Sequence, residues 1–145
     1  MNKKLIGLIL AILVLIVAIC LVLGYGEDNA NQKTEITLYE SIIDLENFTK
    51  EVKSNEYFKD YNNTTVDWLD DLGPNYMVLS SADGYYVMKK SDSDKIPMEF
   101  ATDVSIEYIC KANIVEKRPL SDDLGDVMLV SDLEYISENV TYYDV

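Results

Sequence analysis

The chain contains no histidine. That excludes a Ser-His-Asp triad, a Cys-His nucleophile pair and any zinc or copper site that uses imidazole. Cysteine is nearly absent too: Cys20 lies in an apolar run and Cys110 far downstream. A thiol held in lipid cannot pair with one in the outer domain, so no disulfide framework is expected. Arg118 is the lone arginine, and no basic-aromatic patch accompanies it. The six glycines form no phosphate-cradling loop, and there is no P-loop and no CxxC. Positive charge is scarce throughout, with 12 basic residues against 26 acidic ones and a net charge of −14. Only Lys3 and Lys4 precede residue 27, so the remainder carries 10 basic and 26 acidic residues, a net −16. Such a surface repels nucleic acid and anionic lipid and suits cations or basic partners. No nucleic acid and no cofactor is expected.

Against these absences stands one long uncharged stretch, Leu5 to Gly24. As a helix its 20 residues would span roughly 30 Å, the thickness of a bilayer's hydrocarbon core. Lys3 and Lys4 flank its start and Glu27 and Asp28 follow its end, which predicts a cytoplasmic N-terminus and an extracytoplasmic remainder. The lipid bilayer is therefore the first expected partner, through residues 5–24. A cleaved signal peptide is the competing reading, because small residues Gly24 and Gly26 offer a processing site, although its apolar region is usually only about 7–15 residues. A lipoprotein signal ending at Cys20 fails because Ile19 is not small, and a pilin-type leader fails for want of an acidic residue inside the run. The expected organisation is a cytoplasmic tip at 1–4, a transmembrane signal-anchor at 5–24, a polar stalk at 25–34 and an acidic domain at 35–145.

Within that domain, Glu35 to Ile43 has strand-like content. Asp44 is a plausible N-cap for a helix running to about Lys53, with Leu45, Phe48 and Val52 on one face. Tyr57, Phe58 and Tyr61 are expected to extend that apolar contact. A second helix is predicted after a cap at Thr64 or Thr65, lined by Val66, Leu69 and Leu72 and stopped by Gly73 and Pro74. Trp68 within it reads as a packing residue. Tyr76–Ser80 and Tyr85–Lys89 flank Asp83-Gly84 and predict a hairpin. Ser91 to Pro97 reads as a loop. Val104, Ile106, Tyr108, Cys110, Ala112 and Ile114 alternate along a long strand. Pro119 to Asp126 reads as a turn, Val127 to Ile136 as an antiparallel strand, and Val140 to Val145 as a short edge strand. The predicted fold is α+β: an N-terminal transmembrane helix, then two short helices packed on an antiparallel sheet of about four to five strands. A partly closed barrel of the oligonucleotide-binding type is the alternative.

Candidate chemistries are few. Cys110 falls on an apolar strand face, where a thiol acts as a small hydrophobe. Asp70-Asp71, Asp92 with Asp94, and Asp122-Asp123 with Asp126 offer carboxylate pairs, but hydrolysis needs two of them converging across a cleft. Asp60, Asn62, Thr64 and Asp71 approach a calcium-loop spacing, yet Thr65 replaces the required Gly and Asp71 the required Glu; Asp92-Ser-Asp94 fails as well, with Ile96 in its fifth place. No metal site is therefore expected. Sequons occur at Asn47, Asn62, Asn63 and Asn139, and the loop positions Asn62 and Asn63 are the best acceptors for an outer glycan. Tyr85, Tyr86, Tyr142 and Tyr143 are candidates for a tyrosine-rich interaction face.

Met1-Asn-Lys-Lys, the Ile/Leu/Val run, the polar stalk and the stretches Asn55-Glu-Tyr-Phe-Lys-Asp60, Val66-Asp-Trp-Leu69 and Phe100-Ala-Thr-Asp-Val-Ser105 together resemble small, uncharacterised, single-pass membrane-anchored surface proteins of methanogenic archaea. The resemblance implies no activity and transfers no site residue. The expected role is a membrane-tethered, non-enzymatic interaction module or accessory subunit with an unknown protein or cell-surface partner. A small-ligand or calcium-binding surface domain is the first alternative and a carboxylate-dependent hydrolase the second.

Overall fold

The computed structural model describes residues 32–55 and 60–143. The apolar run at 5–24, the sequence before residue 32, and Tyr57 and Phe58 lie outside the described residues. Among the described residues no helix is long and apolar enough to cross a membrane.

Strand β1 (Thr34–Tyr39) is followed almost at once by β2 (Ile42–Asp44). Asp44 then starts helix α1 (Leu45–Ser54), its Oδ1 accepting the Asn47 N–H at 2.8 Å. Leu45, Phe48 and Val52 are buried along one side of α1, as their spacing requires. Helix α2 (Asn63–Asp71) is capped by Asn62, whose Oδ1 accepts the Thr65 N–H at 3.1 Å. The cap is thus Asn62 rather than Thr64 or Thr65. Thr65 turns inward instead, and its hydroxyl donates to the Pro119 carbonyl at 2.7 Å. Strands β3 (Tyr76–Ser81) and β4 (Gly84–Lys89) form the expected hairpin. Lys90 to Ser93 then makes a one-turn helix, α3, where a loop was expected. Two 18-residue strands complete the domain, β5 (Val104–Ser121) and β6 (Gly125–Tyr142).

The sheet order is β1-β5-β6-β4-β3-β2, and the fold class predicted from sequence is corrected on three counts. The sheet has six strands, not four to five. It is mixed, because β4 runs parallel to β6 over Gly84–Val87 and Asp126–Leu129. Among the described residues three helices are present rather than two. The barrel alternative is not adopted either: β1 and β2 form the two edges of the sheet and do not pair with each other. The physical reason for the added strand is Glu40-Ser41, which breaks the first extended segment so that its halves join opposite edges. Six flat strands about 4.8 Å apart would separate those edges by roughly 24 Å. Three peptide steps from Tyr39 to Ile42 reach only about 11 Å. The sheet therefore curls, and β1 comes against β3.

Curling gives the sheet two buried faces. The concave side holds Ile36, Leu38, Leu79, Met88, Ile106, Tyr108, Cys110, Ala112, Met128 and Val130. The convex side is covered by α1 and α2 and holds Leu45, Phe48, Val66, Leu69, Val78, Val87, Leu120 and Val127. Val78 and Val87 face one core while Leu79 and Met88 face the other, which is why β3, β4 and the start of β6 read as continuous apolar runs. Phe48 meets Tyr85 with ring centroids 4.9 Å apart and planes at 56°, an edge-biased geometry that adds about 1 kcal/mol beyond area burial. Arg118 lies 4.5 Å over the Trp68 ring and pairs with Glu116 at 2.9 Å, closing the rim of the convex core.

Candidate interaction surface

Strand β6 outruns its neighbours. Its first residues are flanked on both sides, by β4 and by β5. Past Leu129 only β5 remains as a strand partner among the described residues, pairing down to Val104↔Tyr142 with register shifts at Lys111/Asn113 and Ile109/Cys110. At Leu133 the open side is still covered: Lys95 donates to the Leu133 carbonyl at 3.1 Å while pairing with Asp92 at 2.9 Å. From Ile136 to Tyr142 every residue of β6 is exposed. The hairpin's open end is backed by β1 as far as the Glu107↔Asn139 pair and is two-stranded beyond it, over Val104–Ile106 and Val140–Tyr142.

Four large exposed apolar side chains lie on this end or on the loop that leads into it, while Val115 and Ile114 are exposed further along β5. Phe100 is 68% exposed, Tyr142 75%, Tyr143 60% and Val140 40%. The Tyr143 N–H donates to the Asp103 carbonyl at 3.2 Å, which holds the strand end beside the loop that enters β5. Ile106↔Val140 and Val104↔Tyr142 are cross-strand pairs, so Val140 and Tyr142 continue the concave face beyond the core.

Carboxylates surround these groups. The Tyr108 hydroxyl, at the edge of the concave core, accepts the Glu99 N–H at 2.9 Å. Burial pushes the Tyr108 phenol up, the bond from Glu99 opposes that, and the nearby charges of Glu40, Glu138 and Glu99 raise it further. Three carboxylates on separate elements thus converge on this end of the sheet. Asp103, Glu107, Asp132 and Glu134 lie on the same two strands or the loop before them, and Lys111 is the basic residue among them. An apolar and aromatic tip rimmed by one sign of charge can bind a partner carrying the opposite sign.

The four tyrosines singled out from sequence do not form one face. Tyr85 is half-buried against Phe48 on the convex side, and Tyr86 is buried on the concave side. Burial, with the charge of Asp83, pushes the Tyr86 phenol up. Tyr86 pairs with Met128, whereas Tyr142 lies fourteen residues further along β6, roughly 46 Å at strand rise. Tyr142 and Tyr143 remain together at the tip. Phe100 and Val140 were missed because Phe100 looks like any loop aromatic and Val140 was assigned to a separate edge strand.

Other predicted positions have structural partners. Asn47 and its own N–H both bond Asp44, and Thr49 of the same sequon is buried. Asn62 caps α2, and the Asn63 sequon ends in the buried Thr65. Asn139 and Thr141 are both exposed on one face of β6. Asp60 and Asp71 are separated by α2, so the calcium-like spacing does not close into a loop. Asp70 pairs with Lys53, Asp92 with Lys95, and Asp126 with Lys117 at 3.4 Å. Among the described residues no three Cys, Asp or Glu side chains gather as metal ligands. Burial pushes the Cys110 thiol up to about 11, leaving it protonated at neutral pH. Depressions of about 410 and 470 Å³ adjoin Tyr76, but among the described residues no buried side-chain polar atom is left without a partner to greet a ligand there.

No family model, no curated protein and no solved structure matches the chain.

Proposed function

We propose that the chain is a membrane-tethered, non-catalytic interaction module or accessory subunit whose outer domain presents the β5–β6 tip to a positively charged protein or cell-surface partner. The observation that carries this reading is the gathering of Phe100, Val140, Tyr142 and Tyr143, all exposed, at one acidic end of the domain. Aromatic anchors within a charged rim are what protein interfaces use, the rings supplying affinity and the charge supplying orientation. The tether is the apolar run of residues 5–24, with the N-terminus cytoplasmic and the acidic domain extracytoplasmic. Nucleic acid is not a partner of so acidic a surface. Asn139, in its exposed sequon, is the acceptor for any glycan on this domain.

The test is site-specific photo-cross-linking in native membranes. A photoreactive residue replacing Tyr142 should give a discrete adduct, and one replacing the exposed Lys50 of α1 should not. No adduct at position 142, or the same adduct at both positions, refutes the reading.

A further inference from the structure

We infer that the open edge of β6, from Ser137 to Tyr142, is a strand-addition site for an extended, lysine- or arginine-bearing segment of the partner. Such a site presupposes the interaction role proposed above and specifies how the partner is held.

An unpaired strand edge offers a row of N–H and C=O groups to a further strand. Edges are usually blunted by lysine, proline or a cover. Here, among the described residues, Lys95 covers the edge at Leu133, and Ser137 to Tyr142 beyond it is exposed and contains no lysine and no proline. The segment is instead rich in β-formers, with Val140, Thr141 and Tyr142. A bulge at Ile136 interrupts the ladder, and beyond it β5 pairs Ser137 to Tyr142 without a further shift, so a partner strand would meet a preformed template over those six residues. The other two edges are poorer templates. β2 has three residues, and β1 curls against β3.

Charge selects the occupant. Glu138 lies on the edge strand, and Asp132, Asp103, Glu107 and Glu99 lie beside it, with Lys95 and Lys111 the basic residues nearby. A second copy of β6 would bring the same acidic set against Glu138 and its acidic neighbours, which like-charge repulsion disfavours. A basic segment meets no such cost. Lys95 already shows the preference, its ammonium resting on the Leu133 carbonyl ahead of the open edge.

The experiment uses the full chain in detergent micelles and a blocked ten-residue peptide of alternating lysine and valine. Fluorescence anisotropy reads binding, and amide hydrogen exchange reads its place. The peptide should bind and protect amides within residues 137–142. The same peptide N-methylated at alternate amides keeps its charge but cannot pair as a strand, and should bind at least about tenfold more weakly. Glu138→Lys should weaken binding by a similar factor, while Asp122→Lys, at the opposite end of β6, should leave it within about twofold. Equal binding of the N-methylated peptide, protection elsewhere, an equal loss in Asp122→Lys, or no binding at low salt would each overturn the inference. A Tyr142 cross-link without protection at 137–142 would sink strand addition and leave the interaction role standing, whereas loss of the cross-link would sink the role itself.

Discussion

Replacing Gly84 with alanine is the sharpest probe of the fold, because the clash it creates is between backbones. Gly84 opens β4 and stands opposite Asp126, where β4 and β6 begin their parallel pairing. Its φ is +142°, and a Cβ added there would lie 2.1 Å from the Asp126 carbonyl oxygen and 2.9 Å from its nitrogen. Ordinary contact begins near 3.4 Å, so the strands must part by more than an ångström at a point where no flexible side chain can give way. An unfavourable φ costs about 1–3 kcal/mol, and overpacking adds about 1–3 kcal/mol. The expected loss is therefore about 3–5 kcal/mol, a large share of an ordinary domain's stability. Gly73 supplies the control. Its φ is +86°, but nothing lies within 4 Å of an added Cβ, so Gly73→Ala should cost only about 1 kcal/mol. Thermal unfolding of the two variants, followed through the single tryptophan Trp68, should lower the midpoint by more than about 10 °C for Gly84→Ala and by about 4–8 °C for Gly73→Ala. A Gly84→Ala protein no less stable than Gly73→Ala would refute the close parallel approach of β4 to β6.

Two further measurements test the helix cap and the core. Asn62→Ala should lower stability by about 1 kcal/mol through loss of the bond to the Thr65 N–H, while Thr64→Ala, at an exposed position, should change it by less than about 0.5 kcal/mol. The reverse order would return the cap to Thr64. Cys110 should make stability fall as pH rises from about 9 to 11. The unfolded thiol releases its proton near 9 while the folded one holds it to about 11, so the unfolded chain binds fewer protons across that window. The loss reaches about 2 kcal/mol by pH 11. Urea titrations of wild type and Cys110→Ala should show the steeper decline in wild type between pH 9 and 11, the raised phenols of Tyr86, Tyr108 and Tyr135 contributing alike to both proteins. Parallel declines would mean the thiol is not desolvated.

How much of this was legible in the sequence depended on whether the signal was local. The Asp44 cap, the apolar face of α1 and the Asp83-Gly84 hairpin were readable because their causes lie within a few residues. The α2 cap was misplaced by two residues because Asn62, Thr64 and Thr65 all suit the role, and only the demand of the Pro119 carbonyl for a donor settles that Thr65 faces inward. Pro119 itself misled the turn assignment. A proline is tolerated in β5 because β1 pairs only as far as Ala112, leaving that side of the strand to α2, whose Asn62 N–H bonds the Leu120 carbonyl at 2.7 Å. The parallel β4–β6 pairing left no local trace. It joins residues some forty positions apart, and its only sequence cue is a glycine at the end of each of two turns.

The same distant pairing explains why the proposed interaction surface lies where it does. Gly84 and Gly125 bring the two hairpin turns side by side, so β4 and β6 start together and run in one direction. Strand β4 has six residues and β6 has eighteen. Two strands so unequal, aligned at their starts, cannot stay paired to their ends, and among the described residues Lys95 covers β6 at Leu133. From Ser137 to Tyr142 β6 has β5 on one side and an open edge on the other. Its alternation then carries apolar residues past the core, as the pairs Ile106↔Val140 and Val104↔Tyr142 show. Shortening the hairpin would remove that exposure without disturbing the concave core around Leu79, Met88 and Met128. The length of β6 is thus a feature that packing does not require, and a binding edge is a physical reason for keeping it.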